Sequence, residues 1–286
     1  MSEGNHLSPQ TEELLRLPAA QRIAAIQSDR FYIDNPQSLD VLNIIENIIK
    51  VPQRTQAPCL IVTGAGGSGK TSIVQQVRLN RALAEQIVYI DMAANPFNLK
   101  FGELLVSALG LPVELMPKFP AKRVQMPKEL IEVIRLRRIR GIIIDELQDA
   151  MLVARLEQQK NLSILKWFTN PDVAIPILGF GVSEAKNALK LDPQLERRFF
   201  SFEMSDWKED ESFRSFLAGV EQNIPLKHAS QLDGAELVGC LLQYTSGRMG
   251  GVMQALKSAA CYAVSSGEER ITPRNIHKAI LSPWGY

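Results

Sequence analysis

Gly64-Ala65-Gly66-Gly67-Ser68-Gly69-Lys70-Thr71 is the stretch that decides the fold of this 286-residue chain. It follows the apolar run Cys59-Leu60-Ile61-Val62 and precedes the helix-like Ser72 to Leu79, so it reads as strand, glycine-rich loop and helix start. Glycines there let successive backbone N–H groups converge on phosphates. Lys70 adds a point charge, and the Thr71 hydroxyl is a hard oxygen suited to Mg²⁺. The implied ligand is a nucleoside triphosphate.

The context supports this. Gly141-Ile142-Ile143-Ile144-Asp145-Glu146 is a short β-branched run ending in two carboxylates, the pattern of a strand buried on both faces of a parallel sheet. Asp145 at its end is placed to hold Mg²⁺ through water, and Glu146 to orient and deprotonate an attacking water. The plainer alternative is a buried strand with an acidic turn. The glycine loop upstream favours the hydrolytic pair.

A hydrophobic content of 45% suits a large core, and the length suits an α/β domain plus a small helical one. No apolar run approaches the roughly 20 residues of a membrane span, and the polar N-terminus does not read as a signal peptide. Cys59, Cys240 and Cys261 are few, far apart and without metal-ligand spacing. They read as reduced core residues, which points to a cytoplasmic protein with no membrane partner. The formal charge of +1 argues against coating nucleic acid through bulk charge, so any such contact must be local and repeated by assembly.

Along the chain, Pro9 to Ile26 suggests short helices that pack on a neighbour. Ser38 to Ile49 carries an apolar face at helical spacing, with Pro52 as its stop. Short apolar runs (Ile87 to Ile90, the Asp145 strand, Ile175 to Leu178, Phe199 to Phe202) alternate with helical patterns at Phe101 to Leu109, Lys128 to Leu136 and Leu162 to Phe168. That alternation predicts a doubly wound parallel sheet. After Trp207 only helical patterns remain, at Glu209 to Val220, Ala235 to Tyr244, Val252 to Val264 and Thr272 to Ile280. Thr272-Pro273 forms a helix start. The expected organisation is a helical N-terminal extension (1–30), an α/β nucleotide-binding core (31–206), and a small all-helical lid with a short C-terminal tail (207–286). Trp284 and Tyr286 in that tail read either as a partner hook or as packing back on the lid.

The glycine loop, the Asp-Glu strand, the later Arg197-Arg198-Phe199 and the helical C-terminal region together resemble the AAA+ P-loop NTPases. A finer likeness runs through Gln158 to Leu162, Leu165-Lys166, Ile175 to Gly181, Glu184-Ala185, Asp192 to Leu195 and Arg198-Phe199 to Trp207. With His6 to Pro9 and Arg22-Ile23 to Asp29-Arg30-Phe31, these resemble the TniB family, transposition ATPases related to TnsC and the phage Mu B protein. The resemblance implies an accessory ATPase that binds ATP and Mg²⁺ and oligomerises on double-stranded DNA without much sequence preference, as a ring or helical filament. It further implies links to a DDE-type transposase and to a target-selection protein. The alternatives are a helicase loader or replication-initiator-like ATPase, and a signalling or secretion ATPase with a protein partner and no DNA.

The same resemblance assigns Lys70, Glu146 and Arg198 to catalysis, Arg198 as an arginine finger acting on a neighbouring subunit. Arg197 beside it is the alternative finger, and an ion pair to Glu196 the plainer role. Gly64, Ala65, Gly66, Gly67, Ser68, Gly69, Lys70, Thr71, Asp145 and Arg248 would hold the nucleotide, with Thr71 and Asp145 on Mg²⁺. Arg248 reads equally as a loop arginine. Val182 stands where relatives carry a threonine; Ser183 beside it is the alternative polar group, and slow hydrolysis the other consequence. Lys100, Lys118, Lys122 and Arg123 would contact DNA phosphates, although each singly also fits a solvated surface charge. Arg135-Leu136-Arg137-Arg138-Ile139-Arg140 ends a helix, where cations suit the dipole, and reads as structural or as part of a subunit interface.

Overall fold

The computed structural model describes residues 6–28, 32–51, 55–95, 97–115 and 128–286. They form two compact units. One comprises 37–66 and 70–204; the other comprises 1–36, 67–69 and 205–286.

The first unit holds a five-stranded parallel sheet in the order β2-β3-β4-β1-β5: β1 Cys59–Thr63, β2 Ile87–Asp91, β3 Gly141–Asp145, β4 Ile177–Gly181 and β5 Phe199–Glu203. Its helices are α3 Pro36–Lys50, α4 Lys70–Leu79, α5 Arg81–Ala84, α6 Phe101–Ala108, α7 Lys128–Leu136, α8 Leu147–Met151, α9 Arg155–Thr169, α10 Ser183–Leu189 and α11 Pro193–Glu196. Strand alternation divides the core. Cys59 and Ile61 of β1 join Ile142 and Ile144 of β3 under α6 to α9, whereas Leu60 and Val62 join Ile143 under α3 and α4. Every residue of β1, β3 and β4 is buried, which is why these strands read as continuous apolar runs. Burying one such isoleucine contributes roughly 1.5–3 kcal/mol.

The expected α/β class and helical C-terminal region are observed; the boundaries differ in instructive places. The fourth strand begins at Ile177, because the Ile175 N–H is bonded to Phe168 O at the end of α9 (2.8 Å). It runs on through Gly179 and Gly181, whose lack of a side chain admits neighbours: a Cβ on Gly179 would lie 2.6 Å from Leu147. The helix expected from Ser38 starts at Pro36 and ends at Lys50; Pro52 lies outside the described residues.

The second unit gathers the N-terminal helices α1 Pro9–Leu15 and α2 Ala19–Gln27 with α12 Glu211–Gln222, α13 Ala235–Thr245, α14 Met249–Ser266 and α15 Pro273–Leu281. Ile26 of α2 is buried in one apolar cluster with Phe213, Leu256, Cys261 and Ile276. Beside it Arg22 makes a bidentate ion pair with Glu269 and also donates to Pro225 O. The start of α15 is a reciprocal cap: Thr272 N–H donates to Asn275 Oδ1 (2.8 Å), and Asn275 N–H donates back to Thr272 Oγ1 (3.4 Å). At the tail, Tyr286 packs edge-on against Tyr262, while Trp284 is exposed. Among the described residues no helix is long and apolar enough to cross a membrane.

Candidate nucleotide-binding site

The site collects at the carboxyl ends of β1 and β3, where a parallel sheet with strands reversing order around β1 leaves room for a ligand. Gly67 (φ +76°) and Gly69 (φ +93°) hold left-handed backbone that a side chain would strain, so the loop path itself requires glycine there. Gly67 O accepts from the Gly250 N–H at 2.8 Å.

Lys70 opens α4 and is 6% exposed. Its Nζ donates to Gly64 O (2.8 Å) and Ala65 O (3.0 Å), which arches the loop over the ammonium. Burial pulls the Lys70 ammonium below the ordinary lysine range, and the nearby Glu146 and Asp145 charges push the other way. Thr71 Oγ1 donates to Asp145 Oδ2 at 3.1 Å. Burial raises the Asp145 carboxyl, opposed by hydrogen bonds from Thr71 and the Glu146 N–H and reinforced by the charges of Glu146 and Asp91.

Glu146 follows directly in left-handed backbone (φ 52°) at the start of α8, so its side chain leaves β3 in a direction distinct from that of Asp145. Gln148 Nε2 donates to the Glu146 carboxylate, and Gln148 Oε1 accepts from the Val182 N–H at 3.3 Å. The structure therefore brings together Gly64, Ala65, Lys70, Thr71, Asp145 and Glu146. Thr71 and Asp145 supply adjoining hard oxygens, the donor set suited to Mg²⁺ completed by water and phosphate.

Two contributors escaped the sequence reading. Asp91 ends β2 opposite Asp145 in register, its carboxylate accepting from the Ala93 and Ala94 N–H groups. Its position at a strand end was the available signal. Gln148 carried no signal, since a glutamine in the first turn of a helix is commonplace.

The other candidates are spread out. Arg198 turns onto its own chain, donating from Nη1 to Thr169 Oγ1, Asn170 Oδ1 (3.0 Å) and Lys166 O (3.4 Å) at the end of α9, while Arg197 is exposed. Arg248 is the exposed residue preceding α14. Lys100 is exposed at the start of α6, and its N–H donates to Glu103. Lys118, Lys122 and Arg123 lie outside the described residues. In the arginine run, Arg137 bonds Leu109 O, Arg140 bonds Val51 O, and Arg135 pairs with Glu132. Arg135, Arg138 and Arg140 also line a cavity of about 310 Å³ with Asp172.

The fold is that of the AAA+ ATPases. The ORC1 protein of Aeropyrum pernix, solved in complex with DNA, superposes with a TM-score of 0.59 at 15% identity over 90% of this chain and 68% of that one. Cdc6p from Pyrobaculum aerophilum gives 0.58 at 15% identity, over 90% and 69%. Domain III of the Thermotoga maritima replication initiation protein DnaA gives 0.52 at 15% identity, over 96% and 97%. No curated protein matches the sequence. Residues 22–209 match the family model described as the bacterial TniB protein, and since they make up most of its length, this chain belongs to the TniB family.

Proposed function

We propose that this chain is a Mg²⁺-dependent ATPase that assembles on duplex DNA and serves DNA transposition, presenting target DNA to a DDE-type transposase in answer to a target-selection protein. One observation carries the reading: Lys70, Thr71, Asp145 and Glu146 converge behind a glycine loop in a member of the TniB family. In that arrangement Lys70 binds phosphate oxygens in the ground state, and Glu146 takes the proton of the attacking water. Mg²⁺, held by Thr71 and Asp145, would neutralise developing phosphate charge. Assembly enters because a charge of +1 gives one subunit too little attraction for duplex, whereas many subunits in line multiply it. Head-to-tail contacts give a ring or an open helix according to whether the rotation closes. Exposed Lys100 is the described candidate for phosphate contact, with Lys118, Lys122 and Arg123 proposed beside it; Arg248 is proposed to face the nucleotide. The DNA bound to the ORC1 neighbour supports the same ligand class for this chain.

Retention on random-sequence duplex, with and without ATP, tests the reading. Binding is expected only with ATP or a non-hydrolysable analogue, rising cooperatively with protein. It should weaken by about 0.9 log units per log unit of salt for each phosphate neutralised. Equal retention in both conditions, or none in either, removes the DNA-assembly reading and favours an ATPase with a protein partner.

A further inference from the structure

The Glu146 carboxylate is not left to its own torsions. Its left-handed backbone swings the side chain away from β3, and Gln148, two residues on, reaches back to it. The same amide is anchored at its other end: Gln148 Oε1 accepts from the Val182 N–H at the point where β4 gives way to α10. Gly181 makes that span possible. A Cβ there would lie 2.5 Å from Gln148 Oε1, so any side chain at 181 displaces the amide. One half-buried glutamine thus joins a carboxylate after β3 to a backbone donor after β4.

We propose that Gln148 is a positioning residue that clips the Glu146 carboxylate to the end of β4 and sets the direction from which it addresses water. A carboxylate with a free χ angle spreads over several rotamers, and misplacement of a base by about 1 Å can cost roughly 100-fold in rate. The Gln148 amide occupies one carboxylate oxygen as donor and leaves the other to accept a proton. Because the amide is tethered to β4, movement at the end of that strand is passed to Glu146. The proposal rests on the ATPase reading above, and the test separates the two.

In full-length protein labelled with ¹⁵N-glutamine and without nucleotide, the Gln148 NH₂ signals, assigned by their loss in Gln148→Leu, should lie apart from those of exposed glutamines and exchange slowly. Glu146→Ala should return them to the exposed range; signals that ignore Glu146→Ala overturn the clip. In turnover assays with ATP, Gln148→Leu should lower kcat by about 10- to 100-fold while leaving ATP affinity within about twofold. Gly181→Ala should act in the same direction by a separate route, and melting curves confirm that both variants are folded. In a Glu146→Gln background Gln148→Leu should lower kcat no further. An equal loss in both backgrounds, or a gain of activity in Gln148→Leu, overturns the positioning role. If the wild type does not hydrolyse ATP under any condition, the ATPase reading falls and the clip is judged on the NMR arm alone.

Discussion

Each compact unit holds a cluster of charge around a buried cation, and the two clusters are built on opposite rules. In the helical unit Arg22 and Glu269 form a closed pair, one cation to one carboxylate, with side chains 6% and 9% exposed. Burial pushes the Glu269 carboxyl up, but the Arg22 hydrogen bond and charge, helped by Lys227, bring it below the usual carboxylate range. In the α/β unit Lys70 stands near Asp145 and Glu146, while Asp91 adds negative charge at Asp145 and both Glu146 and Asp91 add it at Asp149. There the Asp145 and Asp149 carboxyls are raised, by burial first and then by their acidic neighbours. The pair sets one cation against one carboxylate and serves architecture, with Arg22 Nε buried and without a partner. A cluster with surplus negative charge favours the arrival of cations, the arrangement expected of a site that takes a charged ligand.

The sharpest way to break this comparison is to remove Lys70. Lys70→Ala removes the cation that the loop carbonyls hold near Asp145 and Glu146, so ATP binding should be lost, as read by calorimetry. Glu146→Gln should keep ATP affinity while turnover falls by about 100-fold or more. A wild-type rate in Glu146→Gln would end the assignment of the base.

The closed pair answers differently. Arg22→Ala strands a buried carboxylate and should destabilise the protein by about 3–5 kcal/mol in urea unfolding, with no specific loss of ATP affinity in the folded protein. The double variant Arg22→Met with Glu269→Leu should recover most of that stability, because an apolar pair replaces the ion pair without leaving a charge behind. The sign with pH follows from the depressed Glu269 carboxyl. Its contribution is present above the unfolded carboxylate value of 4.5 and is lost as pH falls through the lower folded value. Acid unfolding of the Glu269→Gln variant should therefore be shallower than that of wild type below about pH 4.5. Equal steepness would mean the pair is not formed.

Which parts of this were legible in sequence follows from locality. β1, β3 and the loop between Gly64 and Thr71 could be read because a strand covered on both faces must be apolar throughout and the loop's glycines are imposed by its own backbone. Ile175 misled because apolar character alone does not separate the last turn before a strand from the strand; a hydrogen bond to Phe168 decides it. The N-terminal helices were legible as helices, yet the partner of Arg22 lies at Glu269, far along the chain, and nothing local points to it. Gln148 was hidden for the same reason: its meaning comes from Gly181 and Val182 on another strand.

The smallest effects expected concern Arg197 and Arg198, neighbours in sequence that differ in what they touch. Arg198 spends its Nη1 on the Thr169 and Asn170 side chains and Lys166 O at the end of α9, while its Nε is buried without a partner. Its removal takes a donor from the Thr169 and Asn170 side-chain oxygens beside the end of α9 and should lower stability by about 1–3 kcal/mol. Arg197 is exposed, and surface substitutions of that kind usually stay within about 0.5 kcal/mol. Their roles in trans are separated by mixing. Subunits lacking Lys70 still offer both arginines to a neighbour, so mixing Lys70→Ala with Arg197→Ala should restore hydrolysis if Arg197 is the finger, and mixing it with Arg198→Ala should restore it if Arg198 is. The geometry favours Arg197, since a planar cation already bonded to three groups of its own chain must break those bonds before it can reach another subunit. Recovery confined to the Arg198→Ala mixture, in subunits shown to co-assemble, would mean that the end of α9 releases Arg198 on assembly and that Arg198 belongs with the acid-rich cluster rather than with the closed pair.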